Sequence, residues 1–347
     1  MKMQISCGTG RPERMENQSE QILLDVQNLH TCFYGRRDTV HAVNGVSFKV
    51  SAGEILGIVG ESGCGKSATC RSVIHLLPGG GEITEGTIDY CGIDLAQKDE
   101  RYFQRIRGRE IGMIFQEPMN TLNPVTTIGE QLMETMRGQE VSREKKKEKA
   151  VELLKMVGIP SPEERLMEYA HQFSGGMRQR AMIAIALAAG PKLLIADEPT
   201  TALDVTVQQQ IIRLLLNLRD RLGMGMIFVT HDLGVASEIC DNIAVMYAGR
   251  IVEQAPAVEL FRNPQHPYTI GLMHSIPSAG RRGEKLTPIP GSPPDLHKLS
   301  EGCAFASRCP YAEDKCRSEP ATMREYNAKH CFFCHKELEI RDRSKQA

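Results

Sequence analysis

The sequence predicts an α/β protein with a loop-rich extension at its carboxyl end. A short apolar run, residues 54–60, leads into the glycine-rich segment Gly60–Ser67, and a helical run over residues 68–77 follows. Another apolar run, residues 192–200, ends in two carboxylates, at the edge where open α/β sheets place their ligands. Beyond about residue 262, prolines and cysteines replace the regular pattern. This order indicates a nucleotide-binding core followed by an irregular appendage.

The glycine-rich segment fits the phosphate-binding pattern G-x-x-x-x-G-K-[ST] at every fixed position. Its glycines let backbone N–H groups point at phosphate oxygens, and the helix that follows adds its dipole. Lys66 is expected to reach the β- and γ-phosphates, and the Ser67 hydroxyl to ligate Mg²⁺. A turn that matches by chance is the alternative, and the strand and helix on either side argue against it. The candidate nucleotide-binding residues here are Gly60, Glu61, Ser62, Gly63, Cys64, Gly65, Lys66, Ser67 and Ala68.

Length and composition are those of a globular protein with room for one large domain and an appendage. The chain has 347 residues, 41% of them hydrophobic and 24% charged. A formal net charge of -1 argues against general attraction to nucleic acid, and no apolar stretch is long enough to span a membrane. Residues 1–20 lack a signal-peptide core and are predicted to be disordered, with Met15 a candidate true start. The 11 cysteines, an odd number, argue against a secreted disulfide framework and favour a reducing cytoplasm.

Antiparallel strands precede the loop, and helices follow it. Residues 22–29 and 40–50 alternate apolar and polar side chains, which predicts strands. Phe33 and Tyr34 lie between them, and either could stack on an adenine ring or pack at a strand end. Residues 128–189 carry apolar side chains at helical spacing.

Several shorter elements complete the pattern. The sequence predicts an edge strand over residues 86–90, a short exposed helix over residues 99–107, and a buried strand over residues 111–115. Residues 205–222 predict another helix, and 243–252 a closing hairpin.

Polar residues follow these strands at Gln116, at Asp197 and Glu198, and at His231. The Ser-Gly-Gly segment 174–176 opens a helix and forms a second site able to receive an anion. Taken singly, a packed histidine or an ordinary pair of strand-end carboxylates would explain most of these positions. Their order along one chain, together with the phosphate loop, is the stronger signal.

In this order the motifs resemble those of the ATP-binding cassette (ABC) ATPases, over roughly residues 22–255. The chain is most similar to the ATPase subunits of dipeptide, oligopeptide and nickel importers, on residues 59–63, 115–124, 173–180 and 201–208 and on its proline- and cysteine-rich tail. The resemblance implies a P-loop nucleoside triphosphatase fold with a RecA-like core, an antiparallel β subdomain and an α-helical subdomain. The implied divisions are a cassette over residues 21–262, a helical subdomain at about 118–189, and a C-terminal extension over 263–347.

The resemblance also implies roles in ATP hydrolysis. Asp197, Ser67 and Gln116 would hold Mg²⁺, and Glu198 would be the general base that polarises the attacking water. His231 would contact the γ-phosphate, which makes the implied catalytic residues Glu198, His231, Gln116 and Lys66.

A dimer is implied by the same family. Asp204 would organise the dimer seam. Ser174, Gly175 and Gly176 would bind the γ-phosphate of a nucleotide held by the opposite subunit, so that two ATPs lie between two chains.

Five cysteines crowd into the tail with the spacing C-x5-C-x6-C-x14-C-x2-C, beginning at Cys303. This spacing contains one CxxC pair, Cys331 and Cys334, rather than the repeated CxxC pairs typical of structural zinc, and it is not a ferredoxin pattern. Thiolates alone do not choose between zinc and iron. By resemblance to the importer subunits, Cys303, Cys309, Cys316 and Cys334 would hold a [4Fe-4S] cluster. Zinc, free thiols, and Cys331 in place of Cys334 are the alternatives.

The resemblance therefore implies a peripheral ATPase at the cytoplasmic face of the cell membrane. Its partners would be two polytopic membrane permeases, a second ATP-binding subunit (a related chain or a copy) and an extracytoplasmic solute-binding protein. The competing class is a soluble ABC ATPase of DNA repair or translation, in which a long coiled-coil arm or a second cassette would be expected.

Overall fold

The structure is a computed structural model that describes residues 21–36, 38–117, 121–137, 141–201, 203–275, 288–298 and 301–336. The segment 1–20, predicted to be disordered, lies outside these residues, as do parts of the predicted helical subdomain and of the tail. Among the described residues, no helix combines the length and the apolar character needed to cross a bilayer.

A four-stranded antiparallel sheet precedes and flanks the phosphate loop. It contains β1 (Ile22–Tyr34), β2 (Thr39–Ser51), β4 (Gly81–Tyr90) and β5 (Ile93–Asp94) in the order β2-β1-β4-β5. The strand that contains residues 86–90 is therefore an interior strand, and the prediction of an edge strand is wrong. Its outer neighbour β5 is two residues long, too short for sequence periodicity to reveal.

In the described part of the chain, the second sheet has eight strands. Their order is β11 (Met323–Asn327), β12 (His330–Phe333), β10 (Arg250–Pro256), β9 (Asn242–Tyr247), β3 (Ile55–Val59), β8 (Gly225–Thr230), β7 (Leu193–Asp197) and β6 (Ile111–Ile114). Its five parallel strands are β3, β6, β7, β8 and β9. β10 continues antiparallel from β9 through a turn at residues 248–249. β3 and β7 are buried along their whole length, which explains why they read as continuous apolar runs.

Both faces of this sheet are covered. Leu56 and Ile58 of β3 pack toward the antiparallel sheet, whereas Ile55 and Val59 pack toward the helical layer. The helices are α1 (Lys66–Val73), α2 (Glu100–Ile106), α3 (Ile128–Thr135), α4 (Arg143–Met156), α5 (Pro162–Arg165), α6 (Gly175–Leu187), α7 (Val205–Leu222), α8 (Leu233–Ile239), α9 (Ala257–Arg262), α10 (Pro267–His274) and α11 (Asp314–Ser318). The predicted exposed helix, α2, buries Phe103 and Ile106 and is therefore exposed on one side only.

The carboxyl-terminal part is tied to the core more closely than a loop-rich appendage would be. β11 (Met323–Asn327) and β12 (His330–Phe333) form a hairpin, and β12 pairs with β10 at the edge of the main sheet. Residues 288–294 form no regular element, as the prolines predict. The α/β class and the antiparallel β subdomain beside the core are confirmed, whereas the division at residue 262 stays a prediction.

Candidate nucleotide-binding and hydrolysis site

The phosphate loop joins the end of β3 to the start of α1. Gly63 and Gly65 have φ values of 77° and 102°, a region that favours glycine. A side chain at Gly60 would collide with the Met246 carbonyl, and one at Gly65 with the Ala42 carbonyl. No side chain caps the N-terminus of α1, which leaves its first N–H groups available to a phosphate. The local fold is therefore the one that the sequence motif requires.

Lys66 is buried, with 4% of its surface exposed. Its ammonium group donates to the carbonyls of Gly60 and Glu61 at 2.9 Å each, and lies 3.9 Å from a carboxylate oxygen of Glu198. A buried cation at the mouth of the loop, bonded to backbone carbonyls and close to only one carboxylate among the described residues, suits the charge of a triphosphate.

Ser67 and Asp197 offer a pair of oxygen ligands. The Ser67 hydroxyl donates to Oδ1 of Asp197 at 2.8 Å, while Oδ2 of this fully buried residue has no hydrogen-bond partner among the described residues. Burial raises the pKa of the Asp197 carboxyl, partly offset by the Ser67 hydrogen bond and by Arg71. An orphaned buried carboxylate oxygen beside a hydroxyl fits Mg²⁺, which uses one or two such ligands together with substrate phosphates and water.

Glu198 is the centre of a polar cluster at the end of β7. Its Oε2 accepts hydrogen bonds from Gln116 at 3.2 Å and from Thr201 at 2.9 Å, and lies 3.4 Å from Nδ1 of His231. Its Oε1 faces Lys66. The structure thus brings the four predicted catalytic residues together around one carboxylate. The contact from Thr201, three residues beyond Glu198, was not predicted from the sequence.

Two further predicted residues cap helices in this chain. The Ser174 hydroxyl accepts from the Met177 N–H at the start of α6, and Asp204 accepts from the Val207 N–H at the start of α7. A Cβ on Gly176 would lie 3.1 Å from Val207, so the two helix starts are adjacent. The first turn of α6, with Gly175 and Gly176, presents backbone N–H groups as the sequence predicts.

The two candidate adenine-stacking aromatics differ in exposure. Phe33 is partly buried against the core between the two sheets, while Tyr34 is 51% exposed at the end of β1. Tyr34 is therefore the more accessible of the two.

Four of the tail cysteines line one small cavity of about 10 Å³: Cys303, Cys309, Cys316 and Cys334. Burial raises the pKa of the Cys303 thiol to about 11, and the other three sulfurs add to this shift. Cys331 lies elsewhere, paired with Gln254 in the β10–β12 ladder. In the part of the chain that the structure describes, no three His, Cys, Asp or Glu side chains are placed to hold a single metal ion.

Comparison with known protein families agrees with this geometry. The ABC transporter family matches residues 43–201, and the family described as oligopeptide/dipeptide transporter, C-terminal region, matches residues 252–316. A probable peptide ABC transporter ATP-binding protein from Sinorhizobium fredii is 50% identical over 93% of this chain and 98% of its own length. The oligopeptide transport ATP-binding protein OppD of Bacillus subtilis is 50% identical over 84% of this chain and 82% of its own.

Solved structures show the same fold. MJ0796, described as a bacterial ABC transporter cassette and solved as a dimer, matches with a TM-score of 0.61 and 28% identity, over 67% of this chain and 98% of its own. The cassette cbiO1 of Clostridium perfringens matches with a TM-score of 0.61 and 27% identity, over 70% of this chain and 92% of its own. The chain therefore belongs to the family of ABC transporter ATP-binding proteins.

Proposed function

We propose that this chain hydrolyses ATP to drive the import of dipeptides or oligopeptides across the cell membrane. ATP binding and hydrolysis are the activity of its family. The two relatives named above are peptide transport proteins, and the match covers 98% and 82% of their lengths. The observation that carries the proposal is the convergence of Lys66, Gln116 and His231 on Glu198, next to the Ser67–Asp197 pair.

Hydrolysis assigns a distinct task to each side chain. The loop N–H groups and Lys66 bind the phosphates, and Ser67 and Asp197 hold Mg²⁺, which neutralises phosphate charge when bound. Glu198 accepts the proton of the attacking water. Gln116 orients that water, and His231 contacts the γ-phosphate; their contacts with the same oxygen of Glu198 support these roles.

The exposed ring of Tyr34 is the better candidate for stacking on adenine, because Phe33 is engaged in the core. The start of α6 at Ser174 serves the nucleotide of a second ATP-binding subunit, a related chain or a copy, and Asp204 lies beside it at the seam. In the complete importer the pair works on two membrane permeases, fed by an extracytoplasmic solute-binding protein. The chain acts as a peripheral subunit at the cytoplasmic face, and nucleic acid has no part in this role.

The cysteine-lined cavity is proposed to hold a [4Fe-4S] cluster through Cys303, Cys309, Cys316 and Cys334. Four thiols around one cavity are the donor set for such a cluster. Thiolates alone do not choose the metal, so zinc at the same four cysteines is the alternative. Cys331 is left out because it does not line the cavity.

The alternative, a soluble ABC ATPase uncoupled from transport, is not favoured. The C-terminal region that matches belongs to transporters, and the longest described helix between the loop and Ser174 is α4, with 14 residues. That length is too short for a coiled-coil arm.

The change Glu198→Gln tests the proposal. It keeps the shape of the side chain but removes the base, so we expect ATP binding to persist while turnover falls at least about a hundredfold. Labelled-peptide uptake should be lost in cells whose only copy carries this change. The exposed β4 variant Glu85→Gln is the matched control and should retain both activities.

Wild-type turnover in Glu198→Gln would contradict its role as the base. Normal peptide uptake in cells that lack the chain would contradict the proposed substrate, even if ATP hydrolysis were established.

A further inference from the structure

Two residues of the C-terminal extension contact the phosphate loop at Glu61. Nη1 and Nη2 of Arg308 lie 2.6 Å and 3.0 Å from Oε2 and Oε1 of Glu61, a bidentate ion pair. The Glu61 backbone N–H donates to the Tyr268 hydroxyl at 2.9 Å. Two residues of the extension therefore hold both the side chain and the peptide of Glu61.

Both of these residues are themselves fixed. The Arg308 side chain is only 4% exposed, and its Nε donates to the Pro290 carbonyl at 2.8 Å. Tyr268 is fully buried, and its ring packs 4.6 Å from Tyr247 and 5.4 Å from Phe305. The guanidinium also lies over the rings of Tyr247 and Phe305. The contact with Glu61 is thus made from a rigid aromatic base rather than from mobile surface side chains.

Glu61 passes this constraint to the catalytic lysine. Its carbonyl accepts a hydrogen bond from Nζ of Lys66 at 2.9 Å. The Glu61 N–H, which donates to Tyr268, and the Gly60 carbonyl belong to the same peptide, and that carbonyl also accepts from Nζ of Lys66 at 2.9 Å. The orientation of this peptide therefore helps to decide where the lysine rests. The Arg308 ion pair holds the side chain of the same residue, so the loop enters its turn in one conformation.

Breaking the ion pair between Arg308 and Glu61 costs free energy. Its hydrogen bonds to Glu61 raise the pKa of the guanidinium, and a nearly buried cation that loses its carboxylate would remain unpaired. Burial likewise raises the pKa of the Tyr268 hydroxyl, which stays neutral and available as an acceptor.

We propose that Arg308 and Tyr268 are positioning residues for ATP, which preset the phosphate loop through Glu61 before the nucleotide arrives. This inference rests on the proposed nucleotide site. Neither residue lies in the loop motif, and both belong to the part of the chain beyond the predicted cassette boundary at residue 262. The extension is thereby part of the ATP-binding apparatus.

Kinetics separate positioning from general damage. A loop held in the binding conformation stabilises the ground state and the transition state by the same amount. If that conformation is no longer held, KM rises while kcat stays unchanged. For Arg308→Gln we expect KM for ATP to rise about tenfold at near-constant kcat. Arg308→Lys keeps the charge but not the bidentate geometry, and should fall between the wild type and Arg308→Gln.

A double-mutant cycle tests whether Arg308 acts through Glu61. We expect Arg308→Gln to add less than twofold to KM in a Glu61→Gln background, because the interaction is already lost there. Tyr268→Phe removes a single oxygen and should raise KM about threefold, which provides a milder variant if Arg308→Gln folds poorly. Arg213→Gln, an exposed position on α7, is the matched control and should leave KM unchanged.

An unchanged KM in both Arg308→Gln and Tyr268→Phe would overturn the inference, as would fully additive effects in the cycle. A fall in kcat with constant KM would also overturn it. If the wild-type protein failed to bind ATP, the proposed function would fall first, which separates the two failures.

Discussion

Glu198 combines an unfavourable backbone with the most crowded polar surroundings in the site. Its φ of 47° is left-handed, a conformation that costs a non-glycine residue on the order of 1–3 kcal/mol. The backbone is held there because its N–H donates to the Val229 carbonyl at 3.1 Å, and its carboxylate is held by Thr201 and Gln116. The turn directs the carboxylate back toward Lys66, a direction that an extended continuation of β7 would not provide.

The four cysteines that line the cavity allow a second test with single-residue changes. Replacing any one of Cys303, Cys309, Cys316 and Cys334 by serine should lower bound iron and sulfide, because each thiol lines the cavity. Wild-type protein purified without oxygen should be brown, absorb near about 400 nm and carry about four iron atoms per chain.

Cys331→Ser is the matched control for that series. It removes a thiol nearby in sequence but outside the cavity, and iron content should stay at the wild-type level. Colourless, iron-free wild-type protein would contradict the cluster, and loss of iron in Cys331→Ser would contradict this choice of ligands.

Among the secondary-structure elements, the β11–β12 hairpin depends on a buried contact between a histidine and a glutamate. Nε2 of His330 lies 2.8 Å from Oε1 of Glu253 on β10, and both side chains are fully buried. The same carboxylate accepts from the N–H groups of Gln265 and His266. One side chain therefore joins β12 and the segment before α10 to the main sheet.

Glu253→Ala should detach these segments. It leaves three buried donors without their acceptor, and we expect a loss of about 3 kcal/mol of stability, seen as a lower Tm. Amide exchange should accelerate in β11, β12 and α10 before it does in β3 or β7.

Glu325→Ala on β11 is the comparison, since this side chain is exposed. Its Tm should stay near that of the wild type. An exchange pattern in Glu253→Ala that is uniform over the whole chain would contradict a local role for the pair.

Elements with strong local signals were predictable from the sequence. The bounds of α7 match the predicted 205–222, because Asp204 supplies the cap and Gly223 the left-handed stop. The loop and the carboxylates after β7 were found because motif and strand coincide. The pairing of β12 with β10 was not predictable, because it depends on His330 meeting a glutamate 77 positions away. The ion pair between Arg308 and Glu61 was not predictable either, because the two residues are 247 positions apart and no local sequence pattern marks the contact.

At the scale of the whole molecule, the proposed function divides the chain into two half-sites. Lys66 lies at the start of α1, directly after the phosphate loop. Ser174 lies at the start of α6, and among the described residues its hydroxyl accepts a hydrogen bond only from its own helix, from the Met177 N–H. The related cassette MJ0796 was solved as a dimer. A second chain that brings its own Ser174 to this loop would complete each site, so activity should depend on pairing.

Mixing two inactive variants tests this pairing. Lys66→Ala disables the loop half and Ser174→Arg the other half, so each variant alone should be inactive. When this chain is the only ATP-binding subunit present, a mixed dimer has one intact site, and random pairing should restore roughly a quarter of wild-type turnover. Lys66→Ala mixed with Glu198→Gln is the control: both defects lie in the loop half, so every site stays defective and no recovery is expected. Recovery in that control, or none in the first mixture, would contradict a site shared between two copies, because only complementary halves can rebuild one.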